Sequence, residues 1–211
     1  MREGYRVPYE AAETEFTEKR SRFITNLWRV ETEAEARERI EEIRKRHYDA
    51  RHHCWCYILR DGGVVRYSDD GEPQGTAGQP MLNVFQRQEV TNVCCVVTRY
   101  FGGVLLGAGG LVRAYTQSAK DALDAAGISV VRRWVELAVD CPYSFLERVK
   151  LACAAQGGAV GEIEYAAAVT VRALLPEGGV EAFRAQMTEL SAGGIRAVEL
   201  GEAFRPVPVE R

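Results

Sequence analysis

The chain has 211 residues, 46% apolar and 27% charged, which is typical of a soluble globular protein with one large or two small domains. Its apolar stretches are too short to span a bilayer, and the first residues lack a secretion signal, so we expect a cytoplasmic protein without membrane contact. Charges balance up to residue 132, and the remainder carries the net charge of −3, so nucleic-acid binding would require a local basic patch.

The first 132 residues alternate between strand-like and helix-like segments. Strand-like runs occupy residues 14–19, 21–30, 51–59, 64–67 and 93–98. Thr32 and Glu35 form a capping-box pattern before a helix in which Ala36, Ile40 and Ile43 recur at helical spacing. A short helix is predicted over 81–86 and a longer amphipathic helix over 111–126.

The strand-like run 93–98 leads through a glycine-rich loop into the predicted helix 111–126, which indicates a binding site. Glycine suits a backbone that takes positive φ or approaches another group closely, and a helix N-terminus offers free N–H groups to an anion. Arg113 falls in the predicted first turn, and we expect it to share one cleft with Arg99 and to bind phosphate there. Alternatively, the glycines only make a tight connection, and Arg113 points to solvent. The candidate anion or nucleic-acid site consists of Arg99, Tyr100, Gly102, Gly103, Gly107, Gly109, Gly110 and Arg113.

This site combines cations with aromatic rings, and such mixtures suit RNA backbones and unstacked bases. Alternatively, Tyr100 and Phe101 fill the core of the protein. The apolar residues 104–106 of the loop either fold back into the core or meet a partner, and we expect burial.

A second motif combines a histidine, acidic residues and turn residues, namely His52, Asp69, Asp70, Gly71, Glu72 and Thr76. Its carboxylates and His52 could bind a metal or act as the general base of a hydrolase or peptidase. They are also typical of turns, and we favour an ion pair of Asp70 or Glu72 with Arg99 or Arg113.

The cysteines do not form a metal-binding pattern. His52, Cys54 and Cys56 lie on one strand face, but the outer two are about 13 Å apart, too far to share one ion. We therefore expect reduced, buried cysteines and neither a metal nor another cofactor.

Residues 133–211 follow the order strand, helix, strand, strand, helix, strand, which predicts a ferredoxin-like domain. Strand-like runs lie at 134–139, 160–165, 168–175 and 195–200, with a Pro-rich tail after Arg205 that we expect to be loose. We place the boundary between two α+β domains after Arg132, which gives domains 1–132 and 133–211.

Four motifs of the first domain resemble the IMPACT family, called the YigZ family in bacteria. They are residues 21–24 (SRFI), 50–55 (ARHHCW), 69–78 (DDGEPQGTAG) and 97–115 (VTRYFGGVLLGAGGLVRAY). The resemblance implies an α/β sandwich similar to domain IV of elongation factor G, followed by a ferredoxin-like βαββαβ domain similar to its domain V. Two positions depart from the family pattern, because many relatives carry a basic residue where this chain has Gln79 and Leu105.

Eukaryotic relatives act in translational control, by blocking activation of a starvation-responsive initiation-factor kinase. We therefore predict a non-catalytic cytosolic protein that binds RNA, the ribosome or a translation factor through the glycine-rich loop, Arg99 and Arg113. One alternative is a metal-assisted hydrolase or peptidase that uses Asp69, Asp70, Glu72 and His52. Another is a regulator that contacts a protein partner without RNA.

Overall fold

A computed structural model describes residues 4–208, which divide into two compact units composed mainly of Tyr5–Val130 and Val131–Arg205. The predicted domain boundary after Arg132 lies within the strand that joins the units, and it stays a prediction.

The first unit contains six strands and three α-helices within its described residues. They are β1 (Tyr5–Pro8), β2 (Ala12–Glu18), β3 (Ser21–Arg29), α1 (Glu33–Arg46), β4 (His52–Leu59), β5 (Val64–Ser68), α2 (Gly78–Arg87), β6 (Val93–Tyr100) and α3 (Ala108–Ala126). Five of the strands form an antiparallel sheet in the order β2-β3-β6-β4-β5.

Helices cover both faces of this sheet. On one face, Ile40 and Ile43 of α1 pack against Cys94 and Val96 of β6. On the other, α2 and α3 pack against a cluster that includes Phe23, Cys56, Cys95 and Val97. Because alternate residues of a strand point to opposite faces, the central strand β6 is buried on both sides, which explains its continuous apolar run. The α/β sandwich is therefore confirmed.

The predicted start of α3 was wrong. The helix begins at Ala108, after Gly107 at φ 72°, so Gly109 and Gly110 belong to its first turn and Arg113 lies in its second. Glycine keeps its backbone N–H, and its cost in a helix is the loss of backbone freedom, about 0.5–1 kcal/mol relative to alanine in a helix interior, so two glycines do not prevent a helix from starting here.

The second unit has the ferredoxin-like order of elements. It contains β7 (Ile128–Cys141), whose first residues belong to the first unit, α4 (Leu146–Ala155), β8 (Ala159–Tyr165), β9 (Val169–Pro176), α5 (Val180–Leu190) and β10 (Ala197–Pro208). The strands pair in the order β10-β7-β9-β8, and Val135, Leu137 and Val139 point from β7 into a single core. The ferredoxin-like fold is thus confirmed.

Two strand limits differ from the prediction. β7 begins at Ile128 instead of residue 134, and β10 continues through Arg205 to Pro208 where a loose tail was predicted. The rest of the predicted tail, residues 209–211, lies outside the described residues. In both places, main-chain pairing with neighbouring strands overrides weak local sequence signals.

Candidate functional site

Arg99 is held inside the first unit by a buried ion pair. Its Nη1 donates to Glu72 Oε1 at 2.7 Å and its Nη2 to Ser21 Oγ at 3.1 Å, and the residue is only 5% exposed. Tyr115 OH donates to the same carboxylate oxygen at 2.9 Å. The favoured pairing of Glu72 with Arg99 is therefore present, and it reduces the positive charge that Arg99 offers to an external anion.

Asp69 organises the loop before α2. Its Oδ1 accepts hydrogen bonds from the backbone N–H groups of Ala77 and Gly78 at 3.0 and 2.8 Å, and its Oδ2 accepts one from Gly75 at 2.8 Å. These bonds satisfy N–H groups at the start of α2 that lack helical acceptors.

Asp70 joins this loop to the neighbouring strand and helix. Its Oδ2 accepts the N–H of His53 at 2.6 Å, and its Oδ1 lies 3.4 Å from Arg44 Nη2. The two aspartates and Glu72 therefore have separate structural partners.

The remaining members of the acidic motif shape the same loop. His52 Nδ1 lies 2.9 Å from the carbonyl oxygen of Asp70, and Thr76 Oγ1 donates to the carbonyl of Pro73 at 2.6 Å. Gly71 has φ 85°, and a Cβ there would lie 3.3 Å from His52 Nδ1, so this position requires glycine.

Within residues 4–208, no three His, Cys, Asp or Glu side chains are placed to hold a metal ion together. The cysteines are all buried and free. Burial raises the pKa of Cys54, Cys56, Cys94 and Cys95, which keeps them as neutral thiols at physiological pH. These thiols pack in the core of the sheet and offer no activated nucleophile.

The N-terminus of α3 opens into a cavity of about 360 Å³, which we call the α3 cleft. Arg51, His52, Glu72, Arg99, Phe101 and Gly107 contribute to its lining. No side chain in the described part of the chain caps the helix, so the first backbone N–H groups of α3 can bind an external acceptor. The cleft therefore combines free amides with the exposed cation of Arg51.

Arg113 lines a different cavity. Gly110, Arg113, Ala114 and Gln117 form one helical stripe beside Lys19, around a volume of about 260 Å³. The prediction that Arg99 and Arg113 face one cleft was therefore wrong. The reason is the earlier start of α3, which places Arg113 one turn further along the helix. Leu106 lines both cavities, so the two are neighbours.

Residues 101–107, which we call the glycine-rich loop, pack closely against the hairpin turn between β2 and β3. A Cβ on Gly102 would overlap the backbone carbonyl of Arg20, and Gly103 has φ 82°. Leu105 is 82% exposed, so the expected burial of residues 104–106 holds only for Leu106.

Four cations surround this loop without an ion pair to any residue between 4 and 208. Lys19 and Arg20 form the hairpin turn, Arg51 lines the α3 cleft, and Arg113 lines the adjoining cavity. Sequence reasoning omitted Lys19 and Arg20 from the site. Their position in the sequence could have identified them, because they form the turn that leads into β3, and β3 pairs with β6, the strand before the glycine-rich loop.

Tyr100 lies apart from both cavities. Its OH donates to Asp49 Oδ1 at 2.9 Å and lies 3.0 Å from His47 Nδ1, on the opposite sheet face from Arg99. Burial, reinforced by the bond to Asp49, raises the pKa of Tyr100, so its hydroxyl stays neutral and serves a structural contact.

Comparisons with known proteins cover both units. The Impact N-terminal domain matches residues 19–123, and a domain of unknown function (DUF1949) matches residues 139–193. The chain is 38% identical over 194 residues to the IMPACT family member YvyE of Bacillus subtilis, covering 92% of this chain and 89% of that protein. It is 35% identical to the IMPACT family member YigZ of Escherichia coli over 187 residues, covering 87% and 92%.

Two further matches extend the comparison. A crystal structure described as that of a hypothetical protein superposes with a TM-score of 0.60 at 33% identity, covering 95% of this chain and 99% of that one. A Dictyostelium discoideum protein IMPACT homolog is 34% identical over 96 residues, or 43% of this chain and 27% of that protein. No helix within residues 4–208 is both long and apolar enough to cross a membrane. The two domain matches and the near full-length relatives show that the chain belongs to the IMPACT family.

Proposed function

We propose that the protein acts by binding single-stranded RNA on the surface around the glycine-rich loop. The observation that carries this proposal is a set of four cations that make no ion pair with any residue from 4 to 208 and surround a loop with an exposed aromatic ring; they are Lys19, Arg20, Arg51 and Arg113. Cations attract the phosphates, and an exposed ring stacks on an unpaired base whatever the sequence.

Phe101 supplies the stacking surface. Its ring centroid lies 5.6 Å from the guanidinium carbon of Arg99, which fixes the ring beside the α3 cleft, and the residue is 45% exposed. The free amides of α3 lie in the same cleft and suit one phosphate group. A base on Phe101 and its phosphate at α3 would together occupy the α3 cleft.

The chemistry of the acidic motif supports binding over hydrolysis. Asp69 and Asp70 accept backbone hydrogen bonds, and Glu72 neutralises Arg99, so none of the three is free to act as a general base. The translational role of eukaryotic IMPACT relatives supports an RNA of the translation machinery in the cytoplasm.

The direct test measures polarisation of a fluorescent single-stranded RNA titrated with the protein at increasing salt. We expect binding at low salt that weakens as salt rises, with a smaller salt dependence for the double variant Arg51→Ala/Arg113→Ala. Each lost phosphate contact reduces the slope of log K against log salt by about 0.7. Lys120→Ala is the matched control, because Lys120 lies about two turns further along α3 and pairs with Asp124.

Two results would contradict the proposal. One is the absence of RNA binding at low salt, and the other is an identical salt slope for the double variant and the control. Capture of a protein partner that persists after nuclease treatment, while purified RNA does not bind, would support the protein-regulator alternative instead.

A further inference from the structure

A third cavity lies on the other face of the sheet, between α1 and the strands β4 and β5. It has a volume of about 500 Å³, and we call it the α1 groove. Its floor consists of Trp55, Tyr57 and Arg66, and its wall is the α1 stripe Arg37, Ile40, Glu41 and Arg44. None of these residues lines the α3 cleft, so the groove is a separate site.

The strand pairing explains the composition of the floor. Trp55 and Tyr57 are two residues apart on β4 and point to the same face, and Arg66 of β5 lies directly opposite Tyr57. The wall residues are spaced three or four apart, which places them on one side of α1. The fold therefore sets two aromatic rings beside three arginines.

The two rings form a stacked pair. Their centroids are 5.5 Å apart and their planes differ by 10°. Tyr57 is only 2% exposed and supports Trp55, which is partly exposed to the groove. A ring held flat by a buried neighbour loses little freedom when a planar group stacks on it. The Trp55 ring N–H is buried and has no acceptor between residues 4 and 208.

Two of the three arginines at the groove are paired with carboxylates, and Arg66 is left for an anion. Arg44 is shared between Glu41 at 2.8 Å and Asp70 at 3.4 Å, and Arg37 lies 3.4 Å from Glu33. Arg66 makes no ion pair within the described residues, and its Nη1 donates only to the carbonyl of Val65 at 2.9 Å. Arg66 is exposed and therefore available to a phosphate.

We propose that the α1 groove binds a free purine nucleotide, with the base stacked on Trp55 and the phosphates held by Arg66. A volume of about 500 Å³ lies within the range of small-molecule sites. Bidentate guanidinium contacts suit phosphate, and a purine offers a larger stacking surface than a pyrimidine. An acidic peptide would pair with Arg66 but would leave the stacked aromatic floor without a flat partner.

The test uses the fluorescence of Trp55. The variant Trp28→Phe/Trp134→Phe leaves Trp55 as the only tryptophan, so that quenching reports on the groove alone. We expect AMP, ADP and ATP to quench it saturably, CMP to bind more weakly, and inorganic phosphate to leave it unchanged. In parallel, calorimetric titration of the unmodified protein measures the same Kd in case the substitutions disturb folding.

Arg66→Ala should raise the Kd for ADP by about tenfold, which corresponds to the loss of one charge-assisted hydrogen bond. Arg87→Ala is the matched control, because this exposed arginine lies on α2, on the other face of the sheet.

The proposal is overturned if no purine nucleotide binds at millimolar concentration, or if both variants bind ADP equally. It is also overturned if RNA oligonucleotides quench Trp55 while free nucleotides do not. RNA binding at the glycine-rich loop is measured with different variants, so either proposal can fail alone.

Discussion

Arg99 and Glu72 form a buried ion pair that joins β6 to the loop before α2. The Nη1–Oε1 distance is 2.7 Å, and the two side chains are 6% and 4% exposed. The pair therefore gives the arginine of the family motif a structural role.

Glu72→Ala should destabilise the first unit strongly, because it leaves the buried guanidinium of Arg99 without its counter-charge. We expect a loss of about 3–5 kcal/mol in the free energy of unfolding, measured by urea denaturation followed by circular dichroism. Glu33→Ala is the control, because its partner Arg37 is largely exposed and such pairs contribute about 0–1 kcal/mol. Equal stability of the two variants would contradict the structural role of Glu72.

Gly102→Ala should disturb the contact between the glycine-rich loop and the β2–β3 turn. A Cβ at this position overlaps the Arg20 backbone, which cannot move as easily as a side-chain end, so we expect a cost of about 1–3 kcal/mol. Gly109→Ala adds its methyl group to the first turn of α3, 3.7 Å from Arg113 Nη1 in ordinary van der Waals contact, and should be neutral or stabilising by up to about 1 kcal/mol. Thermal unfolding measures the stabilities of both variants. A Gly102→Ala protein as stable as the Gly109→Ala protein would contradict the steric role of Gly102.

Local signals in the sequence were sufficient for much of the fold. Thr32 accepts the N–H of Glu35 at 3.2 Å, as the capping pattern predicts, and Ala36, Ile40 and Ile43 are buried as their spacing indicates. The apolar run of residues 93–98 also predicted the strand β6, and the order of segments after residue 133 predicted the ferredoxin-like unit. Both signals arise because apolar side chains are buried at regular positions along strands and helices.

The site was less predictable, since its geometry depends on where one helix begins. Glycines are poor helix formers, so Gly109 and Gly110 indicated a loop, although the first turn tolerates them. Moving the start to Ala108 places Arg113 in another cavity. The sequence was equally unable to show that Leu105 is exposed, because an apolar loop residue is buried only where the fold supplies a pocket.

Stability should fall in alkaline solution partly because of the buried thiol of Cys94. Burial raises its pKa to about 12 from an ordinary value of 9.0, so the folded state keeps the proton that the unfolded chain loses. The contribution of Cys94 to the free energy of unfolding is complete below pH 9 and is lost as pH rises through 12. Between these values the free energy of unfolding falls by about 1.4 kcal/mol per pH unit. Cys94→Ala should remove this slope, measured as the difference in unfolding free energy between the two proteins at pH 7, 9 and 10.5. A constant difference across these pH values would show that Cys94 does not cause the alkaline loss of stability.

Phe101→Ala should weaken RNA binding without changing its salt dependence, because stacking neutralises no phosphate. We expect a rise in Kd of roughly tenfold, within the range for loss of one stacked base. Tyr48→Ala is the control, because Tyr48 is 85% exposed but contributes to neither the α3 cleft nor the adjoining cavity. Equal affinities of the two variants would show that Phe101 does not stack on a base.

Leu105→Lys should strengthen RNA binding, because it adds a cation to the exposed tip of the glycine-rich loop. The residue is 82% exposed, so the substitution removes little buried apolar surface and should leave the unfolding free energy almost unchanged. One additional phosphate contact increases the salt slope by about 0.7, so the gain in affinity should be largest at low salt and vanish at high salt. Leu105→Gln, which adds polarity without charge, separates the effect of charge from that of removing leucine. If the two variants bind single-stranded RNA with the same affinity at every salt concentration, the RNA backbone does not approach this loop.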